Sequence, residues 1–146
     1  MTGSENIPSR FENPGVEERC ALLRRVKTIA VVGLSPNPAR PSHGVARALQ
    51  GFGYTIIPVH PVARSVLGVT AYPCLADAPI PIDLVDVFRR AEHIDAVVND
   101  CLGLGLKNLW IQDGIINEPA ALRARSQGIW VAMDCCIYRD FVNYCS

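Results

Sequence analysis

The apolar residues of this chain fall into short continuous runs separated by amphipathic stretches. Thr28-Ile29-Ala30-Val31-Val32 is apolar on both faces and ends at Gly33, which predicts a central parallel strand. Tyr54-Thr55-Ile56-Ile57 with Val59, stopped by Pro61, predicts a second strand. Leu84 to Phe88, Asn108 to Ile111 and Ile129 to Met133 predict three more, with a short strand near Thr70-Ala71-Tyr72. Between them lie helical patterns. Val16, Cys20 and Leu23 share one face of a helix that Asn13 caps and Pro14 opens, with Glu17 and Glu18 in its first turn and Arg24 and Arg25 in its last. Ser42 is read as the cap of a helix from Gly44 to Gln50, closed by Gly51 and Gly53. Ile94, Val97, Val98 and Cys101 fall at i, i+3, i+4 and i+7 within Ala91 to Leu102. Asn117 caps Glu118 to Gln127, and Ile137 to Tyr144 predicts a short terminal helix.

Strands that alternate with helices imply an α/β fold, Rossmann-like, with a mostly parallel open sheet and helices on both faces. The 146 residues suffice for one core. The reading is a mobile N-terminal segment over residues 1–12 and a single domain over residues 13–146. No stretch approaches the roughly 20 apolar residues of a membrane helix. The polar start, Met1 to Arg10, is not a signal peptide. A cytoplasmic protein without membrane contact is expected.

Composition changes this picture in two places. First, Cys20, Cys74, Cys101, Cys135, Cys136 and Cys145 contain no C-x-x-C pair, so they read as reduced thiols filling apolar space and not as a zinc site. Second, fourteen basic residues balance fourteen acidic ones, which is not the footprint of a nucleic-acid binder. The balance is uneven along the chain. Arg19 to Ala76 contains no Asp or Glu, yet carries Arg19, Arg24, Arg25, Lys27, Arg40, Arg47 and Arg64. An acid-free, cationic half suits an anionic small molecule.

In such a sheet ligands bind beyond the carboxyl ends of the strands, so the informative loops begin at Gly33, His60, Arg89, Gln112 and Asp134. The first loop, Gly33 to Ser42, offers a glycine turn, Ser35, Arg40, Ser42 and a helix N-terminus, all suited to phosphate. It is neither G-x-G-x-x-G nor a P-loop, which argues against a nucleotide hydrolase. After the second strand, where an NAD site places Asp or Glu against the ribose, the chain has Val59-His60-Pro61 and then Arg64. That disfavours NAD and leaves coenzyme A or NADP. No acid cluster follows the first strand, so a signalling receiver is excluded.

Gly33-Leu34-Ser35, Arg40-Pro41-Ser42, Ile57 to Pro61, Asp83 to Arg90 and Trp110-Ile111-Gln112 together resemble the small stand-alone CoA-binding proteins. That family is similar to the N-terminal domain of the succinyl-CoA synthetase alpha subunit, and the resemblance runs from Val16 to Ile137. It implies that CoA or an acyl-CoA is held by its adenosine and phosphates. Gly33, Leu34, Ser35, Arg40 and Ser42 match the phosphate loop. Val59, His60, Pro61 and Arg64 match the loop near the nucleotide. Phe88 and Arg89 match the loop beside the adenine or pantetheine path, and Gln112 and Gly114 the loop after it. The chain departs from the pattern at His60, where Asn is more usual, and at Cys135, after Asp134, where a basic or amide residue is common. The synthetase also needs a domain with a phosphorylated histidine and an ATP-grasp partner, for which 146 residues leave no room. His43, His60 and His93 are scattered, and no triad or carboxylate pair is visible. The expectation is a non-catalytic CoA-binding module, with a protein partner left open. The alternative is an NADP-linked oxidoreductase or redox sensor. Strand alternation also makes Cys135 a candidate to face the cleft and form a mixed disulfide with the ligand thiol.

Overall fold

The computed structural model describes residues 10–146. Five parallel strands form one open sheet in the order β2-β1-β5-β6-β7: β1 is Thr28–Val32, β2 Thr55–Val59, β5 Leu84–Val87, β6 Asn108–Ile111 and β7 Trp130–Met133. A two-residue hairpin, β3 (Ser65–Val66) and β4 (Val69–Thr70), stands beside it. Where a short strand was expected at Thr70–Tyr72, the chain instead leaves this hairpin and pairs Tyr72 alone, in parallel, with Val59.

The side-chain alternation of the strands divides the core in two. Ala30, Val32, Val85, Val87, Leu109 and Ile111 pack under α3 (Ile94–Leu104) and α4 (Glu118–Ser126). Ile29, Val31, Leu84, Trp110 and Ala132 face α1 (Val16–Arg25), α2 (Pro41–Gly51) and α5 (Ile137–Asp140). Because both faces are covered, the inner strands are apolar on both faces, as parallel strands should be, except for Asp86 in β5. α3 is preceded by a 3₁₀ turn, Ala91–His93, and ends at Gly105 in the left-handed region. Asn117 caps α4 as expected, its Oδ1 accepting from Ala120 N.

Three expectations change. Asn13 does not cap α1, which starts at Val16 behind Gly15. Its carboxamide instead lies along the free edge of β7, accepting from Met133 N at 2.8 Å and donating to Met133 O at 2.7 Å. Of the segment expected to be mobile, residues 1–9 lie outside the described residues. Phe11 and Glu12 are tied to the domain: Phe11 N donates to Glu118 Oε2, Arg125 stacks over the Phe11 ring, and Arg125 Nη1 donates to Glu12 O. Finally, Cys20 and Cys145 are not reduced thiols but a disulfide joining α1 to the π-helical turn Phe141–Cys145. The two are 125 residues apart in sequence and meet because α1 and the C-terminal turn cover the same sheet face, a juxtaposition that local spacing does not encode.

Candidate functional site

At the carboxyl edge of β1, β2 and β5 lies a cleft of about 440 Å³ lined by Gly33, Ser35, Arg40, Pro41, Ser42, His60, Pro61, Phe88 and Arg89. Its floor is made by the backbone. Gly33 N donates to Val59 O at 3.0 Å and Phe88 N to Val32 O at 2.8 Å, which clamps the three loops together as they leave the sheet. Gly33 has φ +85°, and a Cβ there would stand 2.6 Å from Phe88 O and 3.0 Å from the Arg89 side chain. Only glycine fits this position, by conformation and by space.

The first loop is held by its own short polar side chains. Ser42 Oγ accepts from Ser35 N at 3.0 Å, Ser35 Oγ from Asn37 N at 3.0 Å, and Asn37 Oδ1 from Ala39 N at 3.0 Å. Ser42 therefore ties the loop back on itself and does not cap the helix. α2 begins earlier than expected, with Arg40 at the cap position and Pro41 at the first helical one. Arg40 supplies no side-chain cap and the first turn carries no acid, so the N-terminal dipole faces the cleft uncompensated. Arg40 and Arg89 bring two guanidinium groups, and no carboxylate lines the cleft. Neither arginine has an ion-pair partner among the described residues. A helix terminus and two free guanidinium groups make a site suited to phosphate.

On the opposite wall His60 is pinned by main-chain bonds. Its N donates to Tyr72 O at 2.9 Å, and its ring Nδ1 accepts from Val62 N at 3.1 Å and Ala63 N at 2.9 Å.

Of the expected contact residues, the structure gathers Gly33, Ser35, Arg40, Ser42, His60, Pro61, Phe88 and Arg89 around this one cleft. The rest lie elsewhere. Leu34 and Val59 are buried in the core, where they anchor the loops from below. Arg64 is exposed on the hairpin side and does not line the cleft. Gln112 is buried, and its Nε2 donates to Asp86 Oδ1 at 2.6 Å. Gly114 N donates to Asp134 Oδ1 at 2.8 Å. Pro41 is the lining residue that its loop position did not single out.

Asp86 is a further polar residue beneath the loops, and its signal in the sequence is an acid inside the run Leu84-Val85-Asp86-Val87. It is fully buried, and its Oδ2 has no hydrogen-bond partner. Burial pushes its carboxyl up to about 7, against a smaller lowering by the Gln112 hydrogen bond. Cys135 is not poised as a nucleophile. Burial, and then the Asp140 carboxylate, push its thiol up to about 12, more than Arg19 lowers it, and it does not line the cleft. The mixed disulfide expected at Cys135 thus lacks both the thiolate and the position it needs. A larger hollow of about 580 Å³ runs along β7, but Glu12 and Glu18 line it and Arg125 is already bonded to Glu12 O and Val131 O, so it repels the anions the other cleft attracts.

A family model described as a CoA binding domain matches residues 27–141. The chain is 44% identical over 127 residues to the uncharacterized protein YneT of Bacillus subtilis (strain 168), a match spanning 87% of this chain and 94% of that one. A hypothetical protein from Pyrococcus horikoshii OT3 shares the fold with a TM-score of 0.86 at 29% identity, covering 93% of this chain and 98% of that one. An ADP-forming acetate–CoA ligase of Archaeoglobus fulgidus is 29% identical over 75 residues, which is 51% of this chain but 11% of the ligase.

Proposed function

The chain belongs to the CoA binding domain family, and from that premise we propose that it is a non-catalytic binding module for coenzyme A or an acyl-CoA. The adenosine and phosphates occupy the cleft at the carboxyl edge of β1, β2 and β5. The observation that carries this reading is the cleft's polarity: Arg40, Arg89 and the uncompensated start of α2 face a space with no carboxylate in its lining. The missing Cβ of Gly33 lets Phe88 O and the Arg89 side chain close against it, which brings Arg89 into the same lining as Arg40. The lining supplies binding groups but no cysteine or acid, so the reading assigns it capture of the ligand and no bond-making. The acetate–CoA ligase, whose name states a reaction, is far longer than the part this chain matches.

A thermal-shift panel of CoA, acetyl-CoA, dephospho-CoA, NAD and NADP tests the reading. A ligand that binds only the native state adds about 2.7 kcal/mol at 100 times its dissociation constant. CoA is expected to raise the melting temperature and NAD to leave it unchanged. Stabilisation by NAD and not by CoA overturns the proposal. NADP is the second ligand to weigh, because the acid that contacts an unphosphorylated ribose is missing after β2.

A further inference from the structure

His60 enters the cleft with its hydrogen-bonding state already fixed. Val62 N–H and Ala63 N–H converge on Nδ1, at 3.1 and 2.9 Å. A ring nitrogen that accepts carries no proton, so the neutral imidazole holds its proton on Nε2. Nδ1 is spent on the turn of its own loop, and Nε2 is left without a partner among the described residues in a side chain that lines the cleft. The residue follows β2, where parallel-sheet nucleotide sites read the ribose. In an NAD site the acid at this place accepts hydrogen bonds from free ribose hydroxyls. His60 has the opposite polarity: it offers a donor and no negative charge.

We propose that His60 is a specificity-determining residue that selects an adenosine ligand whose ribose carries a phosphate over one with a free ribose diol, by donating its Nε2–H to the phosphorylated side. This rests on the nucleotide site proposed above and deepens it. The two guanidinium groups of Arg40 and Arg89 share the same lining, which holds no carboxylate to repel the added phosphate. The double role of the ring also separates the substitutions. Asparagine can do both jobs, its Oδ1 accepting from the turn and its Nδ2–H donating into the cleft. Aspartate can do only the first, and it places a negative charge where the phosphate would sit.

The experiment measures CoA and dephospho-CoA dissociation constants by calorimetry for the wild type, His60→Asn and His60→Asp, with melting temperatures and long-range ¹H–¹⁵N correlations of the histidine rings in the free protein. The wild type is expected to prefer CoA by about ten- to a hundredfold, the range of a hydrogen bond to a charged group. His60→Asn keeps that preference. His60→Asp keeps the melting temperature, because it still accepts from Val62 and Ala63, and loses the preference. The ring spectrum shows Nδ1 bare and Nε2 protonated. A wild-type ratio near one, a ring protonated on Nδ1, or a folded His60→Asp that still prefers CoA each overturns the ribose selection while CoA binding itself stands. Failure of both ligands to bind the wild type overturns the proposed function together with this inference.

Discussion

The carboxyl edge of the sheet has two ends built from similar materials and used differently. At the β2-β1-β5 end the polar groups face outward with little to hold: Arg40 and Arg89 have no ion-pair partner among the described residues, and α2 starts uncapped. At the β6-β7 end the same kinds of group are already spent on one another. Gly114 N bonds Asp134, Gln112 bonds Asp86, Trp110 Nε1 donates to Cys135 O, and Arg139 pairs with Asp113. Loops after parallel strands are therefore not equivalent as ligand sites. The unsatisfied end is the one available for a ligand, and the groups at the other end hold their own loops in place.

The largest effect that sharpens this contrast comes from Gly33→Ala. Its Cβ meets Phe88 O at 2.6 Å in a left-handed backbone. The expected loss is about 2–5 kcal/mol of stability, the sum of the left-handed penalty and overpacking. Urea unfolding measures it, and ligand binding should disappear as well.

Asp86, on β5 beside Gln112, gives the next effect, because its Oδ2 is buried without a hydrogen-bond partner. Its folded carboxyl is raised from 3.8 to about 7, so the native state keeps a proton that the unfolded chain releases. Its contribution is most favourable below the unfolded value and is lost progressively as pH rises from about 4 to 7, then levels off. Across that window the loss amounts to roughly 3–5 kcal/mol. Asp86→Asn should gain on the wild type by that amount between pH 4 and pH 7 in chemical denaturation, with CoA affinity unaltered. A parallel pH profile for the two proteins would show that the carboxyl is not held protonated.

Arg40→Ala returns to the open end. It should weaken CoA binding by about 1.5–3 kcal/mol, the range for a hydrogen bond to a charged group, with the melting temperature of the free protein unchanged. Unchanged affinity in calorimetry would make Arg40 an ordinary surface residue. The smallest effect is expected for Arg139→Ala, which breaks an exposed pair at the satisfied end and should leave CoA affinity where it was. A loss of affinity there would erase the distinction between the two ends.

Much of this was legible in the residues. Buried parallel strands announce themselves as apolar runs, so all five strands of the main sheet were expected within a residue or two at their ends. The loops that follow β1, β2 and β5 carried most of the cleft. What local pattern could not show was pairing across distance. Ser65–Val66 and Val69–Thr70 are too short to have a period. Cys20 and Cys145 meet only through the stacking of helices on one face. Gln112 looked like an open contact because its partner, Asp86, lies on the neighbouring strand and faces the same way. Asn13 carried a strong cap signature, but the edge of β7 offered its carboxamide two bonds at once, and one cap bond could not compete.

That last choice reaches beyond the single molecule. A bare edge strand is a template on which another chain can extend the sheet, and from there a fibre can grow. Asn13 takes the Met133 N–H and C=O that an incoming strand would need, and Arg125 takes Val131 O. At the opposite border, Tyr72 occupies Pro58 O. The amide of one side chain thus occupies at the end of β7 the two groups an incoming strand would need, the contact from which edge-to-edge polymerisation starts.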